Sequence, residues 1–127
     1  MTTSTLANWH QIVKSRDLSR LDTLLDDDVV FYSPLVHTPQ AGKAITKMYL
    51  AAAMHVLNNE SFQYVREIVG EYDAVLEFTV EIEGISVNGV DLIKWNDENR
   101  IVEFKVLLRP LKAIHLVQRK MAEMLAK

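Results

Sequence analysis

Ala74-Val75-Leu76-Glu77-Phe78-Thr79-Val80-Glu81-Ile82-Glu83-Gly84 alternates without a break. Ala74, Leu76, Phe78, Val80 and Ile82 fall on one side of an extended chain, and Val75, Glu77, Thr79, Glu81 and Glu83 on the other. A period of two with one apolar side predicts a strand in a sheet covered on a single face. Ser61 to Val69, just upstream, is strand-like as well. Downstream lies Val87-Asn88-Gly89-Val90-Asp91-Leu92-Ile93-Lys94-Trp95. Either Glu83-Gly84 or Asn88-Gly89 can supply the reversal between these strands. Asn-Gly is the stronger turn signal in isolation. Glu83-Gly84 is favoured because it leaves a strand long enough to pair with its neighbours, and Asn88-Gly89 is then expected to be a bulge. Asn96 to Asn99 reads as a polar turn. Ile101 to Leu108 is a further strand, with Val102, Phe104, Val106 and Leu108 opposite Glu103 and Lys105.

Helical periods flank this meander. Leu6, Trp9, Ile12 and Val13 predict a first helix ending near Ser15-Arg16. Asp17 suits the N-cap of a short second helix carrying Leu18, Leu21, Leu24 and Leu25, closed by Asp26-Asp27-Asp28. Val29-Val30-Phe31-Tyr32 is a short strand. Ser33 to Gly42, with Pro34, Pro39 and Gly42, is a loop that arches over something. A third helix runs from Lys43 to about Leu57, with Ile45, Met48, Tyr49, Ala52 and Val56 as its stripe. Pro110 is placed as the first residue of a last helix with Leu111, Ile114, Val117, Met121 and Leu125 as its apolar face. The expected architecture is α+β: a roll in which a bent antiparallel sheet is covered by three N-terminal helices and one C-terminal helix. Residues 1–127 read as one domain.

Composition narrows the function classes. At 127 residues and 49% hydrophobic, the chain can bury a real core. Its formal charge is −3 and its basic residues are scattered, so neither nucleic acid nor an anionic membrane surface is an expected partner. The absence of cysteine removes disulfides, thiolate zinc and a cysteine nucleophile. The start, Met1 to His10, has no basic and apolar signal pattern, and the longest apolar run, Met48 to Met54, is too short to span a bilayer. A cytoplasmic protein is expected. The four histidines form no His-x-x-x-His or Glu-x-x-His pair, and no phosphate loop, nucleophile elbow or dinucleotide fingerprint is present, so no metal and no cofactor are expected.

Asp91 is the residue that stands out, because it alternates with Ile93 and Trp95 on an apolar strand face. A carboxylate there is costly to desolvate unless something satisfies it. In a cavity its pKa rises and it can act as general base or acid. It can equally be a structural acceptor for a helix N-terminus, a tyrosine or Arg109. His37, in the two-proline loop, is a second catalytic candidate, set against an exposed loop histidine. Tyr32 and Tyr49 can donate to a developing enolate, or serve as core. Trp9 and Trp95 are candidate ligand-binding walls, suited to a planar apolar ligand, or core residues. Arg109 can clamp an acidic ligand, or pair with Asp91 or Glu77.

Val29 to Pro34, Gly42-Lys43-Ala44-Ile45, Gly89 to Ile93, and Ile101 to Val106 running into Arg109-Pro110-Leu111 occur in an order that resembles the nuclear-transport-factor-2-like superfamily, and within it the SnoaL-like branch of small cone-shaped proteins. The resemblance covers nearly the whole chain. It implies a cone with a hydrophobic pocket, used across the superfamily for isomerisation, dehydration, epoxide hydrolysis, polyketide cyclisation or plain binding. It also implies a homodimer through the outer face of the sheet, for which Val75 and Leu107 offer slight support. The epoxide-hydrolase branch carries an arginine two positions before its aspartate. Gly89 stands there in this chain, so that branch's Asp-Arg-Asp triad is not carried over. Three readings follow. The first is an enzyme in which Asp91 shuttles a proton next to a carbonyl of an apolar small molecule, with Tyr32, Tyr49 or His37 donating to the oxygen. The second is a carrier with the same pocket, and the third a structural dimer with a filled interior.

Overall fold

The alternating segment is the second strand of a four-strand meander in the computed structural model, which describes residues 3–126. Met1 and Thr2, which begin the stretch read above for a signal, and Lys127 lie outside the described residues. In chain order the elements are α1 (Thr3–Ser15), a 3-10 turn (Leu18–Arg20) running into α2 (Leu21–Leu24), β1 (Leu25–Tyr32), β2 (Gln40–Ala41), α3 (Lys43–Leu57), β3 (Gln63–Val69), β4 (Asp73–Ile82), β5 (Ile85–Trp95), β6 (Ile101–Arg109) and α4 (Leu111–Leu125). This is the expected α+β architecture.

The six strands form one sheet in the order β2-β1-β6-β5-β4-β3. The meander from β3 to β6 is antiparallel throughout. β1 joins its edge parallel to β6, with Phe31 beside Phe104, so the sheet is mixed. A parallel pair needs a long crossover, and no local pattern announces one. Here α3 and three strands of the meander intervene.

Glu83-Gly84 is the reversal. Ile82 pairs with Ile85, and both turn residues have positive φ, 52° and 79°, as a two-residue hairpin with the right twist requires. The bulge expected at Asn88-Gly89 is absent: Thr79 faces Asn88 and Phe78 faces Gly89 in unbroken register. Irregularities fall elsewhere, between Tyr64 and Arg66 on β3 and between Lys94 and Trp95 on β5.

Other boundaries also differ. Asp26-Asp27-Asp28 does not close α2 but continues β1, held by the Leu25–Ile101 pairing and a bond from Asn96 Nδ2 to Asp26 Oδ2 at 3.0 Å. Pro110 precedes the last helix rather than starting it, and its carbonyl accepts the Ile114 N–H at 3.1 Å. On α3 the buried residues are Thr46, Leu50, Ala52, Val56 and Leu57, while Met48 is 48% exposed. That helix is apolar nearly all round, so its period does not fix its orientation. On α4 Leu111 is 66% exposed, and Ala113, Leu116, Val117 and Met121 face inward.

Two groups of buried side chains fill the space between sheet and helices. One gathers Leu6, Trp9 and Ile12 of α1 with Phe31, Ile93, Trp95 and Phe104. The other gathers Val56, Leu57, Leu116 and Val117 of the last two helices with Phe78, Val80 and Val87. Tyr49, Tyr64 and Leu108 pack against both. A hollow remains along this seam.

Gly89 sits under the seam because nothing larger fits. A Cβ there would lie 2.6 Å from Phe78 Cζ and 2.7 Å from both the Leu107 carbonyl oxygen and Leu108 Cδ2. The carbonyl belongs to the neighbouring strand and cannot step aside cheaply. Gly89→Ala should therefore destabilise the fold by about 1–3 kcal/mol through overpacking. A urea titration reads this directly; an unchanged midpoint would contradict the packing.

Candidate active site

Asp91 lies at the centre of β5, flanked in register by Leu76 on β4 and Val106 on β6. It is 6% exposed. Neither neighbour offers a charge or a donor. Burial among apolar atoms penalises the ionised form and pushes the carboxyl from the ordinary 3.8 up to about 7. One interaction opposes that rise: the Tyr64 hydroxyl donates to Asp91 Oδ2 at 2.8 Å. The Tyr64 oxygen in turn accepts the Trp9 indole N–H at 3.0 Å. Burial, and then the charge of Asp91, raise the Tyr64 phenol well above its ordinary value, so it remains a neutral donor. Among the described residues this is the one bond to the Asp91 carboxylate. Oδ1 has no hydrogen-bond partner among them.

α1, β3 and β5 thus supply one residue each to a short chain of donors. Its geometry comes from the sheet. Tyr64 pairs with Phe78, and Phe78 with Gly89, so the bare backbone of Gly89 leaves room for the Phe78 ring. The Tyr64 ring stands edge-on to Phe78, with centroids 6.3 Å apart, and its hydroxyl reaches across to β5.

This chain borders the hollow. Trp9, Phe31, Tyr64, Phe78 and Phe104 form aromatic walls, Leu50, Leu57 and Val117 add aliphatic ones, and Asp91 lies in the lining. Ser33, Pro34, Leu35, Asn58 and Phe62 are half-buried at its rim. The unfilled space, counted out into the mouth, is about 640 Å³, of which about 60 Å³ is open to the centre of a water-sized sphere. An apolar concavity with few polar groups and one displaced pKa is the usual form of a small-molecule site.

The other sequence candidates fall at varied distances from this point. Trp9 is in the wall. Tyr32 points to the outer face of the sheet, where Lys105 Nζ lies 4.8 Å from its ring centroid, because Phe31 takes the inward position. His37 is exposed on the loop, whose Ser33, Pro34 and Leu35 reach the hollow instead. Tyr49 stacks on Phe31 at 5.5 Å in the core and does not line the hollow. Trp95 is buried two positions beyond Ile93, outside the lining. Arg109 is exposed and bonds Asn88 Oδ1 at 3.1 Å on the outer face, so the expected pairing with Asp91 or Glu77 does not occur; Glu77 pairs with Arg66 at 3.3 Å. Tyr64 is the residue the sequence reading missed. Its signal was thin: two aromatics, Phe62 and Tyr64, spaced by two at the start of an otherwise exposed edge strand.

Among the described residues, no three His, Cys, Asp or Glu side chains come together to hold a metal ion. Among the same residues, no helix is long and apolar enough to cross a membrane.

The raised pKa carries a sign for stability. Between about pH 3.8 and 7 the folded protein holds a proton on Asp91 that the unfolded chain has released. Stability therefore falls as pH rises through this window, by on the order of 4 kcal/mol in all, and levels off above it. Asp91→Asn keeps an acceptor for Tyr64 and removes the charge. It should be more stable than the parent at pH 8, with the difference shrinking toward pH 4, as read by urea unfolding at both values. Equal stabilities throughout would place the carboxylate in a wetter setting than this one.

The chain matches the family model for the SnoaL-like domain over residues 6–104. Among solved structures it is similar to a steroid delta-isomerase from Pseudomonas aeruginosa, at 36% identity over 98% of this chain and 91% of that one, with a TM-score of 0.93. It is also similar to a protein with a cystatin-like fold from Silicibacter pomeroyi, at 29% identity over 94% and 84% of the two chains, TM-score 0.86. An NTF2-like protein from Mesorhizobium loti, 19% identical over 86% and 91%, shares the fold with a TM-score of 0.73. No curated protein sequence matches. With the cone-type α+β fold and a family match spanning most of its length, this chain belongs to the SnoaL-like domain family.

Proposed function

We propose that the protein is an isomerase that moves a proton next to a carbonyl of an apolar small molecule, with Asp91 as the proton carrier. The observation that carries this reading is a carboxyl pushed up to about 7 in the wall of an apolar hollow, with one oxygen unbonded by any of the described residues. The 36% identity to a steroid delta-isomerase supports it. In the proposed cycle, ionised Asp91 removes a proton from the carbon between a carbonyl and a carbon–carbon double bond. The C–H electron pair moves into the conjugated system and leaves an enolate. Asp91, now a carboxylic acid, returns the same proton at the far carbon of the former double bond. The product is the conjugated isomer and the carboxylate is restored. A base titrating near neutrality suits both directions of transfer.

Tyr64 has two roles in this scheme. Its bond to Oδ2 holds the carboxylate and favours the ionised form that starts the reaction. Once Asp91 has taken the proton, the phenol no longer faces a full charge and can donate to the enolate oxygen. Tyr32, Tyr49 and His37, first considered for that donation, lie outside the hollow. One observation favours a carrier without turnover: the donor beside Asp91 is already bonded to it. Asp91→Asn would then leave ligand affinity intact and have no activity to remove.

The test is conversion of a β,γ-unsaturated steroid ketone, followed by the ultraviolet band of the conjugated product. Asp91→Asn should lower kcat by about 10²–10⁴-fold with the fold retained. The parent rate should rise with pH through about 7 and then level. Tyr64→Phe removes the bond that favours the carboxylate, so it should move that midpoint higher. Turnover in Asp91→Asn within threefold of the parent would refute Asp91 as the base.

We also propose that two copies pair through the outer sheet face, in the cytoplasm, on the strength of the cysteine-free composition for the setting and an apolar stripe for the pairing. Ile68, Val75 and Leu92 are neighbours in register, and Val90 lies beside Leu107 in the next strand pair. Ile68 and Leu107 are 59% and 50% exposed. Light scattering should give twice the mass of one chain, and the Leu92→Asp, Leu107→Asp double variant should give a monomer with unchanged circular dichroism. A monomeric parent would end this part of the proposal.

A further inference from the structure

The central hollow is small for a ligand of drug or sterol size, since such sites commonly hold a few hundred Å³ or more. A second, larger space adjoins it. Between the C-terminal end of α1, the outer side of α3 and the end of α4 runs an open groove of about 700 Å³, against about 60 Å³ for the hollow on the same measure. The two share Met54 and Asn58 in their linings. They are therefore neighbours across one thin partition.

The backbone of that partition is fixed. Asn58 Nδ2 donates to the Val13 carbonyl at 2.8 Å, and Arg16 donates to the Asn58 carbonyl at 2.7 Å, tying α1 to α3. What can move is the Met54 side chain, which is half-buried, unbranched and adaptable. The groove suits an apolar guest. Its apolar lining includes Leu18, Met48, Ala51, Met124 and Leu125, and its polar lining, Arg16, His55, Asn58 and Asn59, holds no carboxylate. All four methionines among the described residues line one space or the other: Met54 and Met121 the hollow, and Met48, Met54 and Met124 the groove. Methionine is the side chain that refits to guests of differing shape.

We propose that the groove is the second compartment of the ligand site, taking the apolar tail of a molecule whose carbonyl end lies at Asp91. Met54 divides the two compartments and selects ligands by length. The inference rests on the pocket reading above, and the substrate class it names is an elongated apolar carbonyl compound rather than a compact one.

A homologous series of straight-chain methyl ketones, 2-pentanone through 2-pentadecanone, tests it by isothermal titration calorimetry. In the parent, affinity should keep rising with chain length past the member that fills the hollow, by up to about fourfold per added methylene. Ala51→Trp fills the groove from a position that does not itself line the hollow. It should abolish that continued rise while leaving 2-pentanone binding unchanged. Met54→Ala should strengthen binding of the long members most. If the rise persists unaltered in Ala51→Trp, or stops in the parent at the short members, the groove is no compartment of the site and the inference fails while the pocket stands. If no ketone of any length binds, both the inference and the pocket reading fall.

Discussion

The structure turns on one carboxylate kept out of water with a single hydroxyl to hold it. Asp91 has aliphatic neighbours on both adjoining strands, and Tyr64 alone donates to it among the described residues. A second donor or a cation would favour the ionised form further, and the loss of the Tyr64 bond would push the carboxyl higher still. The intermediate arrangement leaves the carboxyl pushed up to about 7. The cost is carried by the rest of the fold, whose two core clusters meet around it.

That arrangement depends on a residue with no side chain. Gly89 leaves room for the tip of the Phe78 ring, and the Phe78 and Tyr64 rings meet at a steep angle. Trp9 then closes the chain of donors from the far side of the hollow. Each partner is large, aromatic and set by packing, so the phenol is held by shape and not by a polar network. Few groups compete for the Asp91 oxygen that remains.

Much of the architecture could be read from period alone. Ala74 to Ile82 and Val87 to Trp95 declare their faces, and the identity of the hairpin followed from strand length rather than from the Asn-Gly signal. Periodicity failed where a segment was apolar on every side, as in α3, whose buried face proved to be Thr46, Leu50 and Val56 rather than Ile45 and Met48. It also failed for the parallel contact of β1 with β6, which no neighbouring residues encode. Asp91 was legible because a charge on an apolar strand face is an anomaly within nine residues. Tyr64 was not, because its hydroxyl meets Asp91 only through the register of three strands. Tyr32 and Arg109 were placed on the wrong side of the sheet for the same reason: which face each residue takes follows from pairing partners far away in sequence.

The closure of β1 onto β6 bears on how the protein reaches this state. The meander is built from hairpins that need only nearby chain, whereas Phe31 must find Phe104 and Thr5 must reach the Asn99 carbonyl, 94 positions on. Contacts of such span are entropically late, since long loops must close before anything is gained. Trp9 and Phe31, two walls of the hollow, arrive with that closure. The apolar cover over Asp91 thus depends on the N-terminal segments meeting Phe104 near the other end of the chain, so a substitution that loosens that closure reaches the carboxyl without touching it.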